Sequence, residues 1–291
     1  MIAEASTPAG PRVAPAEIAP GVHCLEVGKG VMRSNVFFVR SGAAWVLIDT
    51  GSAHCADAIQ AASETLFGPA ARPAAILLTH GHPDHAGSTR ELVRRWGCPV
   101  YVHPDELRFV TTDVATFFAA YREYTTSTGR WGPPPLDRWI ILPMMRAMPR
   151  RRRESMLAES GFKDAARAFD PESGLPGLPG WTCIPTPGHT PGHAAFFRLA
   201  DRVLIAGDAV LTADVNSVTG FVRWSRGRST QSLGGPPWYT TWSRRVAGQS
   251  AAALSRLDPA VLAPGHGTPL SGAGTSDALR AYVNRLRRTS R

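Results

Sequence analysis

A layered α/β fold is predicted for this chain of 291 residues, on three observations. Short apolar runs alternate with segments of helical period in both halves of the sequence, a strand and helix repeat that differs from a helical bundle or a barrel of hairpins. Apolar strands run out into polar turns, as where Ala44 to Asp49 ends in Asp49-Thr50-Gly51. A hydrophobic content of 43% supplies side chains for a sizeable core and excludes a disordered or fibrous chain.

Residues 1–20 read as a flexible tail rich in Pro and Ala, ahead of one domain over 21–291. The tail has neither the basic segment nor the continuous apolar stretch of a secretory signal, and no run approaches the roughly 20 residues of a membrane span. A cytoplasmic protein is expected.

Three strand-like segments follow, Val22 to Val27, Asn35 to Val39 and Ala44 to Asp49, then a helix from Ala56 to Phe67. The apolar strand Ala74 to Leu78 leads into Thr79-His80-Gly81-His82-Pro83-Asp84-His85. Pro83 suits the first turn of a helix continuing through Leu92, Val93 and Trp96, and a strand at Val100 to Val102 comes next.

From about 103 to 180 periodicity is poor, with breakers at Gly132 to Pro135 and Pro171 to Gly180. The apolar stretch from Trp139 to Met148 ends in four arginines, Arg150 to Arg153, so a helical insertion or lid is predicted there. The second half repeats the α/β pattern: strands at Trp181 to Pro185, Ala194 to Leu199, Val203 to Ala206 and Val261 to Ala263, with helices from Thr240 to Leu257 and from Ser276. Trp242, spaced with Val246, Ala253 and Leu257, is expected on the core face of the first of these helices.

Chemistry concentrates in four places. Three of the nine histidines fall within six residues, as His80-x-His82-x-Asp84-His85. His80 and His82 alternate along an extended strand end and can point the same way, whereas Asp84 and His85 open the next helix and face a neighbouring position, so one segment can serve two adjacent metals. Pro187-Gly188-His189-Thr190-Pro191-Gly192-His193, Gly207-Asp208 and Pro264-Gly265-His266-Gly267 each stand where a strand stops, the usual edge location of active sites in α/β folds.

HxHxDH, PGHTPGH, GD and PGHG, in this order, resemble the metallo-β-lactamase superfamily, closest in motif style to its glyoxalase II-like and lactonase-like hydrolases. The likeness covers about residues 20–102 and 180–270 and implies a four-layer αββα sandwich with a helical insertion. It also implies a site for two divalent ions: His80, His82 and His189 at one, Asp84, His85 and His266 at the other, and Asp208 bridging both. Zinc is the first choice of metal, with iron and manganese suited to the same donors. Asp84 and Asp208 are the implied catalytic carboxylates, Asp84 orienting the attacking water. His193 and Asp49 are expected to hydrogen-bond around the ligands. The expected reaction is hydrolysis of an ester-like bond, with water activated between two ions. A phosphodiesterase or nuclease of the same superfamily and a non-enzymatic metal-dependent sensor are the alternatives.

Charge bears on the substrate. Lys+Arg of 32 against Asp+Glu of 23 gives +9, and only Lys29 and Lys163 are lysines. Acid-free arginine clusters lie at Met144 to Arg153, Val215 to Ser250 and Ala278 to Arg291. The first two are expected beside the cleft, with Arg146, Arg223, Trp224 and Arg226 as candidates for holding a small molecule with an apolar body and an anionic group. That makes a small molecule the expected partner ahead of nucleic acid, with no membrane association and with an oligomer compatible. Cys24, Cys55, Cys98 and Cys183 are far apart with no CxxC pair, against a disulfide scaffold.

Overall fold

Neighbouring residues on the central strands point into different cores, because both faces of each sheet are covered. On β3 (Ser34–Ser41) and β4 (Ala44–Ile48), Val36, Phe38, Trp45 and Leu47 face one apolar cluster, while Phe37, Val39, Val46 and Ile48 face another. The computed structural model describes residues 14–110, 119, 122, 134–154, 161–162, 164–228 and 232–289. The first thirteen residues of the expected tail and much of the expected insertion, including Gly132 and Lys163, lie outside the described residues.

The first sheet runs β1 to β7 in chain order. β1 (Ala16–Ala19), β2 (Val22–Val27), β3 and β4 form an antiparallel meander, and β5 (Ala75–Leu77), β6 (Val100–Val102) and β7 (Ala166–Ala168) add on in parallel. Helices α1 (Ala56–Phe67), α2 (Pro83–Ala86) and α3 (Thr89–Trp96) lie in the crossovers. The second sheet has the order β12-β11-β10-β9-β8, from β8 (Trp181–Pro185), β9 (Ala194–Arg198), β10 (Val203–Gly207), β11 (Val261–Pro264) and β12 (Leu270–Ser271).

Three apolar clusters separate four layers. Ile59 of α1 and Leu92 and Trp96 of α3 pack on the outer face of the first sheet. Phe37, Ile48 and Leu77 meet Phe196, Ile205 and Ala263 between the sheets. Leu254 of α6 (Arg244–Ser255) and Leu279 and Val283 of α7 (Thr275–Thr289) cover the far face of the second sheet. This is the αββα sandwich.

Three expectations are corrected. The tail ends earlier than residue 20, because Ala16–Ala19 pairs with β2 as an edge strand. The segment 103–180 is not all insertion: β7 joins the first sheet, and Phe169, Leu175 and Leu178 pack in the intersheet core. Three residues are too short to show a period. Ahead of β7, residues 137–141 form a turn of π-helix running into α4 (Leu142–Ala147), with Leu142 and Met145 buried. The helix expected from Thr240 begins at Arg244, so Trp242 precedes it.

Candidate metal centre

Parallel pairing sets the location of the site. β4 and β5 run side by side in one sheet, and β10 and β11 in the other, so each pair delivers its C-terminal turns to one edge of its sheet. β5 leads to His80 and His82, and α2 carries Asp84 and His85. The β8–β9 turn carries His189, and Asp208 and His266 follow β10 and β11.

The seven side chains converge. His80, His82 and His189 form one group with potential ligand atoms within 4.8 Å of one another; His80, His85 and Asp208 form a second, and Asp84, His85 and His266 a third. Asp208 lies between the halves, with Oδ2 3.3 Å from Nε2 of both His189 and His266, and Oδ1 3.3 Å from His85 Nε2. His266 Nε2 is also 3.3 Å from Asp84 Oδ2.

Four of the five histidines have Nδ1 engaged elsewhere. Thr79 Oγ1 donates to Asp49 Oδ2, and His80 Nδ1 donates to that hydroxyl at 3.1 Å. His85 Nδ1 lies 2.9 Å from Asp49 Oδ2, and His266 Nδ1 donates to the Arg33 carbonyl at 2.6 Å. Thr241 Oγ1 donates to the Pro237 carbonyl and accepts from His189 Nδ1 at 3.2 Å. With the proton committed on that side, Nε2 is left for a cation. Nε2 of His80, Nε2 of His189 and Oδ1 of Asp208 are buried and have no hydrogen-bond partner among the described residues, which a metal would supply.

Asp49 and His193 orient these groups. Asp49 has φ 58°, a left-handed conformation that aspartate tolerates, and its carboxylate reaches both Thr79 and His85. His193 accepts from the Asp208 N–H through Nε2 at 2.9 Å and contacts Thr186 Oγ1 through Nδ1, so both its ring nitrogens are engaged outside the cluster. Gly265 makes room: a Cβ there would lie 2.2 Å from Asp208 Oδ1.

The two halves differ in charge. Burial, reinforced by neighbouring histidines, keeps His80 well below its ordinary value, and His82 is pushed down to about 3 by desolvation and then by His189. Desolvation would lower His266 too, but Asp208 and Asp84 overcome it and raise it to about 10; His85 is raised in the same way. Burial would raise both carboxyls, yet His85 and His266 hold Asp84 and Asp208 well below the usual range.

The Metallo-beta-lactamase superfamily model matches residues 30–266. The chain belongs to the metallo-β-lactamase superfamily. A probable metallo-hydrolase, YflN of Bacillus subtilis (strain 168), is 32% identical over 273 residues, covering 93% of this chain and 92% of that one. Of solved structures, the metallo-β-lactamase family protein TTHA1429 of Thermus thermophilus is 21% identical with a TM-score of 0.59, covering 94% and 80% of the two chains. The subclass B3 enzyme BJP-1 of Bradyrhizobium japonicum is 17% identical with a TM-score of 0.59, covering 96% and 94%. These structures share the fold. As a member of this superfamily the protein is a metal-dependent hydrolase. Among the described residues no helix is long and apolar enough to cross a membrane.

The expected substrate residues of this superfamily member fall elsewhere. Trp224 is 2% exposed, edge-on to His266 at 5.8 Å and under the Arg33 guanidinium at 3.9 Å, so it braces a histidine instead of walling a cleft. Arg223 and Arg226 are exposed on or just after α5 (Val218–Ser225), and Arg146 is exposed on α4. None of the four is among the residues lining the large cavity beside His82.

Glu106 was missed by sequence reasoning. It is 1% exposed and accepts from Gly81 N–H at 2.7 Å, Thr190 Oγ1 at 2.8 Å and Gly192 N–H at 3.1 Å, tying together the two turns that carry His80, His82 and His189. A signal existed: like the other site residues it follows the end of a strand, β6. Tyr239 is a further residue near the centre: burial, then the charges of Asp84 and Asp208, raises its phenol to about 12.

Proposed function

We propose that the protein hydrolyses an ester-like bond, such as a lactone or thioester, of a small molecule, using two divalent ions held by the seven converging side chains. His80, His82 and His189 would hold one ion, Asp84, His85 and His266 the other, with Asp208 between them. The supporting observation is that the buried Nε2 atoms of His80 and His189 and Oδ1 of Asp208 make no hydrogen bond among the described residues, with Nδ1 anchored behind four of the imidazoles. Imidazole and carboxylate donors suit zinc first, and iron or manganese as well.

Two bound ions would lower the pKa of a shared water and polarise the electrophilic oxygen of the substrate. The protein's own groups divide the remaining work. Asp84 is the better placed carboxylate to orient the attacking water, since its side chain is 18% exposed against 3% for Asp208. Asp208, fixed by the His193 contact to its N–H, positions charge between the halves. Asp49 and Thr79 keep His85 and His80 in their tautomers. The four cysteines are buried free thiols, which suits a reducing cytoplasmic setting.

The test is metal analysis of the purified protein coupled to a panel of lactones, thioesters, β-lactams and phosphodiesters. Two ions per chain and hydrolysis of the ester-like members are expected, both lost in His82→Ala and Asp208→Ala. Turnover that survives exhaustive chelation, or confined to phosphodiesters, would overturn the reading.

A further inference from the structure

The cavity beside His82 has a volume of about 1380 Å³, above the roughly 300–1,000 Å³ usual for a small-molecule site. At one end it meets Gly81, His82 and Pro83 of the first histidine motif and Thr190 and Pro191 of the second. Val110, Met145 and Phe162 line it as well, together with residues of α1. Ala58, Ala61 and Ala62 line it at helical spacings of three and four, so they share one face of α1. Alanine at all three leaves open the space that larger side chains would fill.

The polar groups of the buried wall are already engaged. Ser52 Oγ donates to the Met32 carbonyl at 3.0 Å, and Thr190 Oγ1 donates to Glu106. Glu106 accepts two further backbone N–H bonds. The remaining charged members, Glu26, Lys29 and His54, are exposed, and Glu26 is paired with Arg33 at 2.8 Å. A polar group buried here without a partner would lose its hydration and gain nothing in return. Among the described residues of this wall the one Lys or Arg is Lys29, which is exposed, so its buried part offers no cation to the anionic substrate expected from the arginine clusters.

We propose that this cavity receives an aliphatic acyl arm of the substrate, with the carbonyl carbon of that arm at the His82 end. The proposal rests on the hydrolase reading of the metal centre and adds the substrate class: an uncharged ester or thioester of a medium or long fatty acyl group. Hydrolysis breaks the acyl–oxygen or acyl–sulfur bond, adds the oxygen of water to the acyl carbon and returns a proton to the leaving group. The acid and the alcohol or thiol are the products.

Two measurements on the full chain test it. The first is saturable binding of N-phenyl-1-naphthylamine, an uncharged apolar fluorophore, to metal-loaded and chelated protein, with dodecanol as competitor. Binding in both states is expected, displaced by dodecanol and weakened about tenfold or more by Ala58→Trp or Ala62→Phe. Ala58 is exposed on α1, so its variant tests the proposal even where the buried Ala62 variant fails to fold. The second is kcat/KM across 4-nitrophenyl esters from acetyl to decanoyl. A rise of up to about threefold per added methylene is expected, flattened in Ala58→Trp.

Esters cleaved equally at every chain length, with no fluorophore binding, would overturn the acyl-arm proposal while leaving the hydrolase standing. Competed fluorophore binding without cleavage of any ester would support the apolar cavity and count against the hydrolytic centre instead. Binding that neither α1 variant weakens would place the probe outside this cavity and overturn the assignment.

Discussion

The contrast between the two halves of the centre has a measurable consequence at the level of single side chains. In the metal-free protein His266 is raised to about 10 and His85 is raised beside the same carboxylates, so both are expected as imidazolium cations at neutral pH. A ligand imidazole must be neutral, so metal uptake at the Asp84, His85 and His266 site displaces up to about two protons. Apparent affinity is therefore expected to rise with pH through the neutral range, by up to about a hundredfold per unit, with the His266 share of that rise ending above about pH 10. Calorimetric titration in two buffers of different ionisation enthalpy reads the proton count, and a heat independent of buffer would show that both rings are already neutral. Glu106 gives a second pH test. Burial pushes its carboxyl up to about 7 in spite of three donors. A carboxyl raised from about 4.5 to about 7 favours the folded state fully below the lower value, and that contribution is lost as pH rises through the upper one, on the order of 3 kcal/mol. The denaturation free energy of wild type minus that of Glu106→Gln is expected to fall by about this amount between about pH 4.5 and pH 8; a constant difference would mean that Glu106 is ionised throughout.

The elements that deliver the ligands are stitched together by short polar contacts across the sandwich. Asn35 on β3 donates through Nδ2 to the carbonyls of Pro264 and Gly267, on either side of His266, at 2.9 and 2.7 Å. Its backbone N–H reaches the Gly265 carbonyl at 2.8 Å. Asn35→Ala leaves two buried carbonyls unpaired, which is expected to cost about 1–3 kcal/mol each at most and to loosen the turn that aims His266. Chemical denaturation and metal affinity should both fall, and a variant that loses stability with unchanged metal affinity would show that the turn is held from elsewhere. This brace was not legible in the sequence: Asn35 is an ordinary strand residue until β11 is brought beside it from over 200 residues away. The turns themselves were legible, because His80 to His85 and the Gly/Pro turns at 187–193 and 264–267 put metal-binding side chains where apolar strands stop. The segment after β6 was not, since β7 has three residues and the buried Glu106 follows no motif. Its position after a strand was informative, but a single carboxylate among surface-like neighbours carries little signal. Charge is less specific for a related reason. Arg223 and Arg226 fall in one acid-free run and Arg146 in another, and all three are exposed, while Trp224 turns inward between Arg33 and His266.

For the molecule as a whole, the consequence follows from where the seven side chains originate. His80 and His82 come from the end of β5 and Asp84 and His85 from α2, all on the first sheet, whereas His189, Asp208 and His266 come from turns of the second sheet. Ions bound across this junction as proposed would join two sheets that otherwise meet through the apolar cluster of Phe37, Ile48, Leu77, Phe196 and Ile205. Metal held by these seven side chains would bind the folded chain and not the separated turns, so its free energy would add to the stability of the sandwich. Free metal at about a thousand times its dissociation constant contributes about 4 kcal/mol per site. For a domain of this size one kcal/mol moves the melting point by about 2–4 °C, so exhaustive chelation is expected to lower Tm on the order of 10 °C or more, and zinc to restore it. Scanning calorimetry also reads the form of the change. If the ions tie the sheets together, the whole transition moves as one peak. A small early transition on chelation, with the main peak unmoved, would mean that only the turns depend on metal and that the sandwich stands without it.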